Sequence, residues 1–384
     1  MLKTIGEVCQ LLNGYSFKSE KYVDSGIRII RIANVQKGFI EDNTPAFYPL
    51  DTPGIENYML KEGDLLISLT GNVGRVALLN KEMLPAALNQ RVACLRLKDD
   101  SIYKKFFFHY LNSSKFENIC ILESRGVAQK NMSTEWLKRQ PIPNYSFQKQ
   151  IEISKILDCI IEIINKKRQQ LIEYDQLIKS RFVEMFGDVS IKTNGFTLND
   201  VCHKMVRGPF GSSLKKAFFV PKGDNTYKVY EQQHAINKKA DIGTYYIDKN
   251  RFDKLKRFEL VPGNIIMSCS GTIGEFFVVP KNAEPGIINQ ALLNFELNEK
   301  LINHAYFLYS MNFIISSVDR RGSGITNVTS VKKIKQTNIY VPSIEDQNQF
   351  SEFVNQVDKL KFEVQKSLNE TQTLFDSLMQ EYFG

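Results

Sequence analysis

The residues of this 384-residue chain best suited to chemistry are cations that have polar or aromatic neighbours. In the amino-terminal half they are Arg28, Arg31 and Asn34, then Arg75, Arg91, Arg125, Gln129 and Lys130. In the carboxy-terminal half they are Arg207, Lys215, Lys216, Tyr230, Gln232, Gln233 and His234, then Arg320, Arg321 and Asn327. Lysine and arginine neutralise phosphates and release their counterions, while amides, Tyr and His can reach the edges of bases. The chemistry on offer is recognition of a polyanion. Taken singly, any one of these residues reads first as a solvated surface group.

Bond-making chemistry has little to stand on. No Gly-Lys dipeptide occurs, which excludes a P-loop. Gly71-Asn72-Val73-Gly74 and Gly271-Thr272-Ile273-Gly274 could cradle a phosphate through backbone N–H groups. Without a following Lys-Ser/Thr they read first as strand-to-strand turns. The Asn/Asp-Pro-Pro-aromatic tetrapeptide of adenine-N6 methyltransferases is missing, as is a Gly-rich strand-to-helix turn for an adenosine cofactor. The cysteines at 9, 94, 120, 159, 202 and 269 are scattered, and the histidines at 109, 203, 234 and 304 lack ligand spacing. No catalytic residue, no metal and no cofactor are therefore expected, and the thiols are expected to be reduced. No apolar run approaches the ~18 residues of a membrane span, and the amino terminus does not read as a secretory signal. A non-catalytic, cytoplasmic binding protein is expected.

The elements that must position the cations come in two copies. Gly63-Asp64-Leu65-Leu66-Ile67-Ser68 runs into the first glycine pair, and Gly263-Asn264-Ile265-Ile266-Met267-Ser268 runs into the second, 200 residues on. The same offset carries Asn89-Gln90 onto Asn289-Gln290. Gly126-Val127-Ala128-Gln129-Lys130-Asn131 is answered by Gly322-Ser323-Gly324-Ile325-Thr326-Asn327, Pro143 with Gln148 by Pro342 with Gln347, and Met185-Phe186-Gly187 by Tyr382-Phe383-Gly384. Matches in one order at nearly one offset mean a tandem repeat of two units, for which a pseudo-twofold is the natural geometry.

Each copy divides into a globular part and a helix. Residues 27–32 and 92–97 alternate with the period of half-buried strands, and 65–68 reads as a buried strand. Residues 101–120 and 301–318 read as helices, giving an α+β globular part. Then Ile153, Leu157, Ile160, Ile164, Lys167, Leu171, Tyr174 and Ile178 follow in steps of three and four. So do Phe350, Phe353, Val357, Leu360, Val364, Ser367, Thr371, Leu374 and Leu378, the heptad pattern of a coiled-coil seam. Lys167, Ser367 and Thr371 interrupt the seam and could fix its register. The other reading keeps each helix on its own domain. The expected boundaries are 1–143 and 188–342 for the globular domains, and 144–187 and 343–384 for the helices. Charge separates the parts: residues 148–187 carry a net +1 and 345–384 a net −5, which leaves +12 of the overall +8 on the globular parts. A basic surface favours a polyanion partner.

The whole chain resembles the specificity subunit of type I restriction-modification systems. The resemblance rests on the doubled globular-part-plus-helix layout, on residues 63–74, on Gly126-x-x-Gln129, and on Pro143 with Gln148 and Gln150. In the second copy Gly263-Asn264 replaces Gly-Asp, and Gly322-x-x-Ile325 lacks the glutamine. The resemblance implies two pseudo-repeated target recognition domains, each reading one half of a split sequence in double-stranded DNA. Two long helices forming an antiparallel coiled coil would set the gap and dock two methyltransferase subunits. Those subunits would carry S-adenosylmethionine, and restriction/translocase subunits would complete the assembly. The alternative is a coiled-coil interaction scaffold without DNA recognition.

Overall fold

A computed structural model of the chain describes residues 3–124, 131–210, 213–320 and 331–384, the side chains of 316–320 excepted. The chain forms two compact units, Met1–Gln169 with Gln365–Gly384, and Gln170–Val364. This division cuts across the sequence-based boundaries, because each long helix gives part of its length to each unit.

In the first unit α1 (Ile5–Val8) leads into β1 (Cys9–Asn13). Strands β2 (Ile27–Ile30), β3 (Phe47–Tyr48), β4 (Leu65–Ser68), β5 (Val76–Leu78), β6 (Ala86–Leu88) and β7 (Val92–Leu97) follow. Helices α2 (Lys104–Leu111), α3 (Ser114–Ser124), α4 (Thr134–Lys138) and α5 (Phe147–Phe186) come next. One sheet is antiparallel in the order β1-β7-β4-β5, and a smaller one runs β3-β2-β6 with β2 and β6 parallel.

The second unit repeats the plan. It holds β8 (Cys202–Arg207), β9 (Thr226–Tyr230), α6 (Gln232–Asn237), β10 (Tyr246–Asp248), α7 (Lys249–Lys254), β11 (Glu259–Leu260), β12 (Ile265–Ser268), β13 (Phe276–Val278), β14 (Gly286–Ile288) and β15 (Leu292–Leu297). Then come α8 (His304–Arg320), α9 (Val331–Lys335) and α10 (Ile344–Phe383). Its sheets run β8-β15-β12-β13 and β10-β9-β14-β11. Even the register repeats: Leu65 faces Leu95 and Ile265 faces Phe295, while Ile29 faces Ala87 and Val229 faces Ile287.

The period-two strands do not alternate core with water as expected. They alternate between two cores. Leu65, Ile67, Ala93 and Leu95 pack under α2 with Phe106 and Phe107. Leu66, Val92 and Cys94 face the smaller sheet with Ile30 and Leu88. A sheet with helices on one face and a second sheet on the other is apolar on both.

The long helices pair within each unit. In the first, Ile153 and Leu157 of α5 and Phe383 of α10 share the α2 core, the Tyr145 hydroxyl donates to the Tyr382 carbonyl at 3.1 Å, and Lys167 Nζ donates to Ser367 Oγ at 2.7 Å. In the second, Phe182 and Phe186 of α5 pack on Phe350 of α10, and Lys361 pairs with Asp175 at 2.6 Å. In the first unit the early part of α5 meets the late part of α10, and in the second the late part of α5 meets the early part of α10, so the pairing is antiparallel. Two of the expected seam interruptions, Lys167 and Ser367, are thus bonded to each other. Leu171, Tyr174, Phe353, Val364 and Leu378 are half-buried, and Ile160, Ile164, Ile178 and Val357 are buried. Leu360 and Leu374, placed in the seam by a strict heptad, are each 51% exposed. Lys361, Leu368 and Phe375 turn inward instead. A helix of 3.6 residues per turn drifts about 20° per heptad against a 3.5-residue pattern, and here the phase slips by one residue.

Candidate nucleic-acid interface

The shared motifs turn out to be scaffold. Each glycine pair closes the antiparallel turn from β4 to β5 or from β12 to β13. Gly71 and Gly74 have φ of +66° and +84°, and Gly271 and Gly274 have +64° and +84°, values open to glycine and costly for other residues. The turn is tied by Ser68 Oγ, which accepts from the Arg75 N–H at 3.0 Å, and by Ser268 Oγ, which accepts from Glu275 N–H at 3.0 Å. Asn89 Oδ1 accepts from Arg91 N–H at 3.2 Å and Asn289 Oδ1 from Ala291 N–H at 3.0 Å, each turning the chain into the next strand. Asp64 holds Arg96 and the Lys61 N–H. In the second copy Asn264 accepts from Val261 N–H and from Asn294 Nδ2, a neutral replacement for a charged pair. Gln150 and Gln347 do one job, their Oε1 atoms accepting from the N–H of Tyr103 and of Asn303, each at 2.9 Å. The structural counterpart of Gln347 is therefore Gln150, where the sequence pattern paired it with Gln148.

Three expected reading residues are internal. Asn34 is buried: its Oδ1 accepts from Arg31 N–H at 2.9 Å and its Nδ2 donates to the Glu41 carbonyl at 2.8 Å. His234 is fully buried, with Nδ1 accepting from Glu231 N–H at 2.9 Å and Nε2 donating to the Ile242 carbonyl at 2.8 Å. Burial holds its pKa below the usual histidine value. Asn34 and His234 thus tie the same loop in the two copies with different side chains. Tyr230 is in the core, and its hydroxyl donates to the Glu284 carbonyl at 2.7 Å. No base could reach these three without local unfolding.

The others stay near the surface. Arg28 pairs with Asp42 and lies over Phe47 at 5.0 Å, and Arg31 donates to the Thr44 carbonyl. Arg75 donates to Gln36 Oε1. Exposed Arg91 borders a concavity of about 680 Å³ with Gly71, Gln90 and Asn131. In the second unit Arg207 donates to the Gln290 carbonyl at 3.0 Å and lies over Phe210 at 4.8 Å. Lys215, Lys216 and Gln233 are exposed, and Gln232 accepts from Ser270 Oγ at 3.3 Å. Arg125, Gln129, Lys130, Arg321 and Asn327 lie outside the described residues, as does the side chain of Arg320.

Sequence reasoning passed over a further basic surface on and after α7. Lys254 and Arg257 are exposed there, and Arg257 shares a concavity of about 330 Å³ with Arg207, Phe210 and Lys335. The signal is present in the run Lys249-Asn250-Arg251-Phe252-Asp253-Lys254-Leu255-Lys256-Arg257-Phe258, which holds five cations but no recognisable motif. Burial pushes the Cys9, Cys120 and Cys202 thiols up to about 12 and that of Cys269 to about 11, which keeps them protonated and unreactive. Among the described residues no three His, Cys, Asp or Glu side chains are placed to hold a metal ion, and no helix is long and apolar enough to cross a membrane.

Comparison with known proteins bears on this repeated, basic architecture. The family described as the type I restriction modification DNA specificity domain matches residues 1–174 and again 191–372. The chain belongs to that family. The specificity domain therefore occurs twice, in line with the repeat. The chain is 21% identical to the Escherichia coli type I restriction enzyme EcoBI specificity subunit over 413 aligned residues, spanning 99% of this chain and 84% of that one. A shorter match, 32% identical over 167 residues, links 42% of this chain to 28% of the length of the Escherichia coli EcoAI specificity subunit. Over 200 residues it is 28% identical to the MjaVIII specificity subunit of Methanocaldococcus jannaschii, covering 50% and 46% of the two chains. Two solved structures share the fold along the whole chain. The type I restriction-modification S subunit from M. genitalium superposes with a TM-score of 0.54 at 16% identity, covering 96% of that chain. A chain from a study of complex assembly and conformational transition of the type I system gives 0.64 at 15%, covering 97%.

Proposed function

We propose that this chain is the non-catalytic specificity subunit of a type I restriction-modification complex, and that its two globular halves read the two halves of a bipartite target in double-stranded DNA. The observation that carries the reading is the repeated fold whose turns and sheet register are shared while its surface loops are not. Two copies of one scaffold with different surfaces suit two different half-sites. The paired helices, nearly neutral or acidic, set the distance between the halves, as dimer geometry sets half-site spacing in other readers. Their outward faces dock two methyltransferase subunits, which bring S-adenosylmethionine and the methyl transfer; restriction/translocase subunits join the same complex in the cytoplasm. What this chain's residues contribute is position. Cations grip phosphates and fix register, and side chains of the loops present hydrogen-bonding groups to base edges.

The test is to express the chain with a type I methyltransferase subunit in a host that lacks methylation and to map modified adenines across the genome. A single motif of two short blocks separated by a fixed gap is expected. An absence of new modification, or a continuous motif, contradicts the proposal.

A further inference from the structure

The two globular units are unequal in charge. Residues 188–342 carry a net +8 and residues 1–143 a net +4. Much of the difference lies at one place in the repeat. Residues 249–258 hold five Lys/Arg and one Asp, whereas residues 49–58, 200 positions earlier, hold Asp51 and Glu56 and no cation.

We infer that the second unit carries, where the first is acidic, a phosphate-gripping surface formed by Lys215, Lys216, Lys254 and Arg257 beside the exposed ring of Phe210. This rests on the DNA-binding reading above and adds to it an asymmetric anchor.

The surface is built by the fold. Phe252 is buried and stacks on Tyr227, with centroids 3.8 Å apart and planes 7° apart, so α7 is pinned by one face. The Asp248 side chain caps the helix by accepting from Arg251 N–H at 2.7 Å. Arg251 spans to the neighbouring segment, where its guanidinium lies 3.7 Å from the Phe218 ring centroid and donates to the Ser213 carbonyl. That holds exposed Lys215 and Lys216 next to α7. Lys249 and Lys256 are occupied by Asp253 and Glu259, at 3.2 and 2.8 Å. Lys254, Arg257, Lys215 and Lys216 have no ion-pair partner among the described residues. Beyond α7, Arg257 and Phe210 line one concavity, and Phe210 is 59% exposed.

Gathering cations without ion-pair partners beside an aromatic ring that is still 59% exposed raises the free energy of the isolated chain, through like-charge repulsion and exposed apolar surface. A duplex backbone relieves both: its phosphates offset the charge, and a deoxyribose covers the ring. Contacts of this kind hold the duplex without reading its sequence.

The experiment uses the full chain assembled with its methyltransferase subunits. The variant Lys215→Gln/Lys216→Gln/Lys254→Gln/Arg257→Gln is compared with wild type for binding to a duplex carrying the target and to an unrelated duplex, across a salt series. Each lost phosphate contact should lower the slope of log affinity against log salt by about 0.9. We expect a decrease of about 2 to 4, equal weakening on both duplexes, and an unchanged methylated motif. Phe210→Ala should weaken binding several-fold with the slope retained. A quadruple variant with wild-type affinity and slope overturns the inference. So does one that loses its methyltransferase subunits, since the surface then serves a protein. Should the wild-type complex itself bind no DNA, the underlying functional reading falls as well.

Discussion

The two globular units solve the same folding problem with different residues, and the places where they agree and differ divide scaffold from surface. Both use a positive-φ glycine pair, a Ser tie and an Asn turn at matching positions. Both tie the loop after the parallel-paired strand, one with Asn34 and the other with His234. A polar group inside a protein must be bonded wherever it is, so a different side chain at such a position need not mean a different function. The difference that changes what the molecule can touch is outside: an acidic segment around Asp51 and Glu56 in one unit, a basic helix in the other. Divergence marks function only where the diverging residue reaches solvent.

That comparison can be broken in order of expected effect. Gly14 and Gly208 both pass against an Asn backbone; a Cβ would lie 2.2 Å from the Asn89 carbonyl at Gly14 and 1.9 Å from the Asn289 oxygen at Gly208. Gly14→Ala and Gly208→Ala should each cost about 3 kcal/mol, read by denaturant unfolding. A neutral result at one site alone would end the claim of a shared scaffold there. Asn34→Ala and His234→Ala each leave buried backbone groups unbonded and should cost about 1–3 kcal/mol. If either instead abolished recognition of a half-site at full stability, it would be a reading residue after all. Acid should separate the two ties. The His234 pKa is lowered in the folded protein, so its contribution is complete above an ordinary histidine pKa of about 6.5 and fades as pH falls below that toward the folded value. Its charged neighbours are Glu231 and Lys228. Hydrogen exchange at pH 5.5 against pH 7.5 should show residues 231–243 loosening while 31–42 hold; equal loosening would contradict this. The smallest effect belongs to the outward-facing leucines of α10. Leu360→Ser and Leu374→Ser should change the stability of the isolated chain by no more than about 0.5 kcal/mol, while Leu157→Ala should cost about 2–5.

The doubling, the two long helices, the strands near 27–30, 65–68 and 92–97 and the family were legible in the sequence because repeated motifs and hydrophobic periods are local signals, whereas the single helix expected over 101–120 is broken into α2 and α3. The helix seam was legible to within a phase: a strict heptad reaches Leu360, but the observed helix turns Lys361 inward. The site was less legible. Whether a polar residue faces water depends on the chain that packs over it, and sequence spacing says nothing of the Ile242 carbonyl that takes up His234 or the Glu284 carbonyl that takes up Tyr230. The exposed cations on and after α7 belong to no motif, and spacing alone does not show that they share a surface. Their grouping depends on Arg251 reaching the segment at Ser213, a contact between residues 38 positions apart.

The most direct test of two halves reading separately is an exchange. Residues 188–342 are replaced by the corresponding domain of another specificity subunit, and the motif methylated in a host is compared before and after. The account predicts that one block of the motif changes while the other block and the gap stay as they were. A change in both blocks, or in neither, would contradict it.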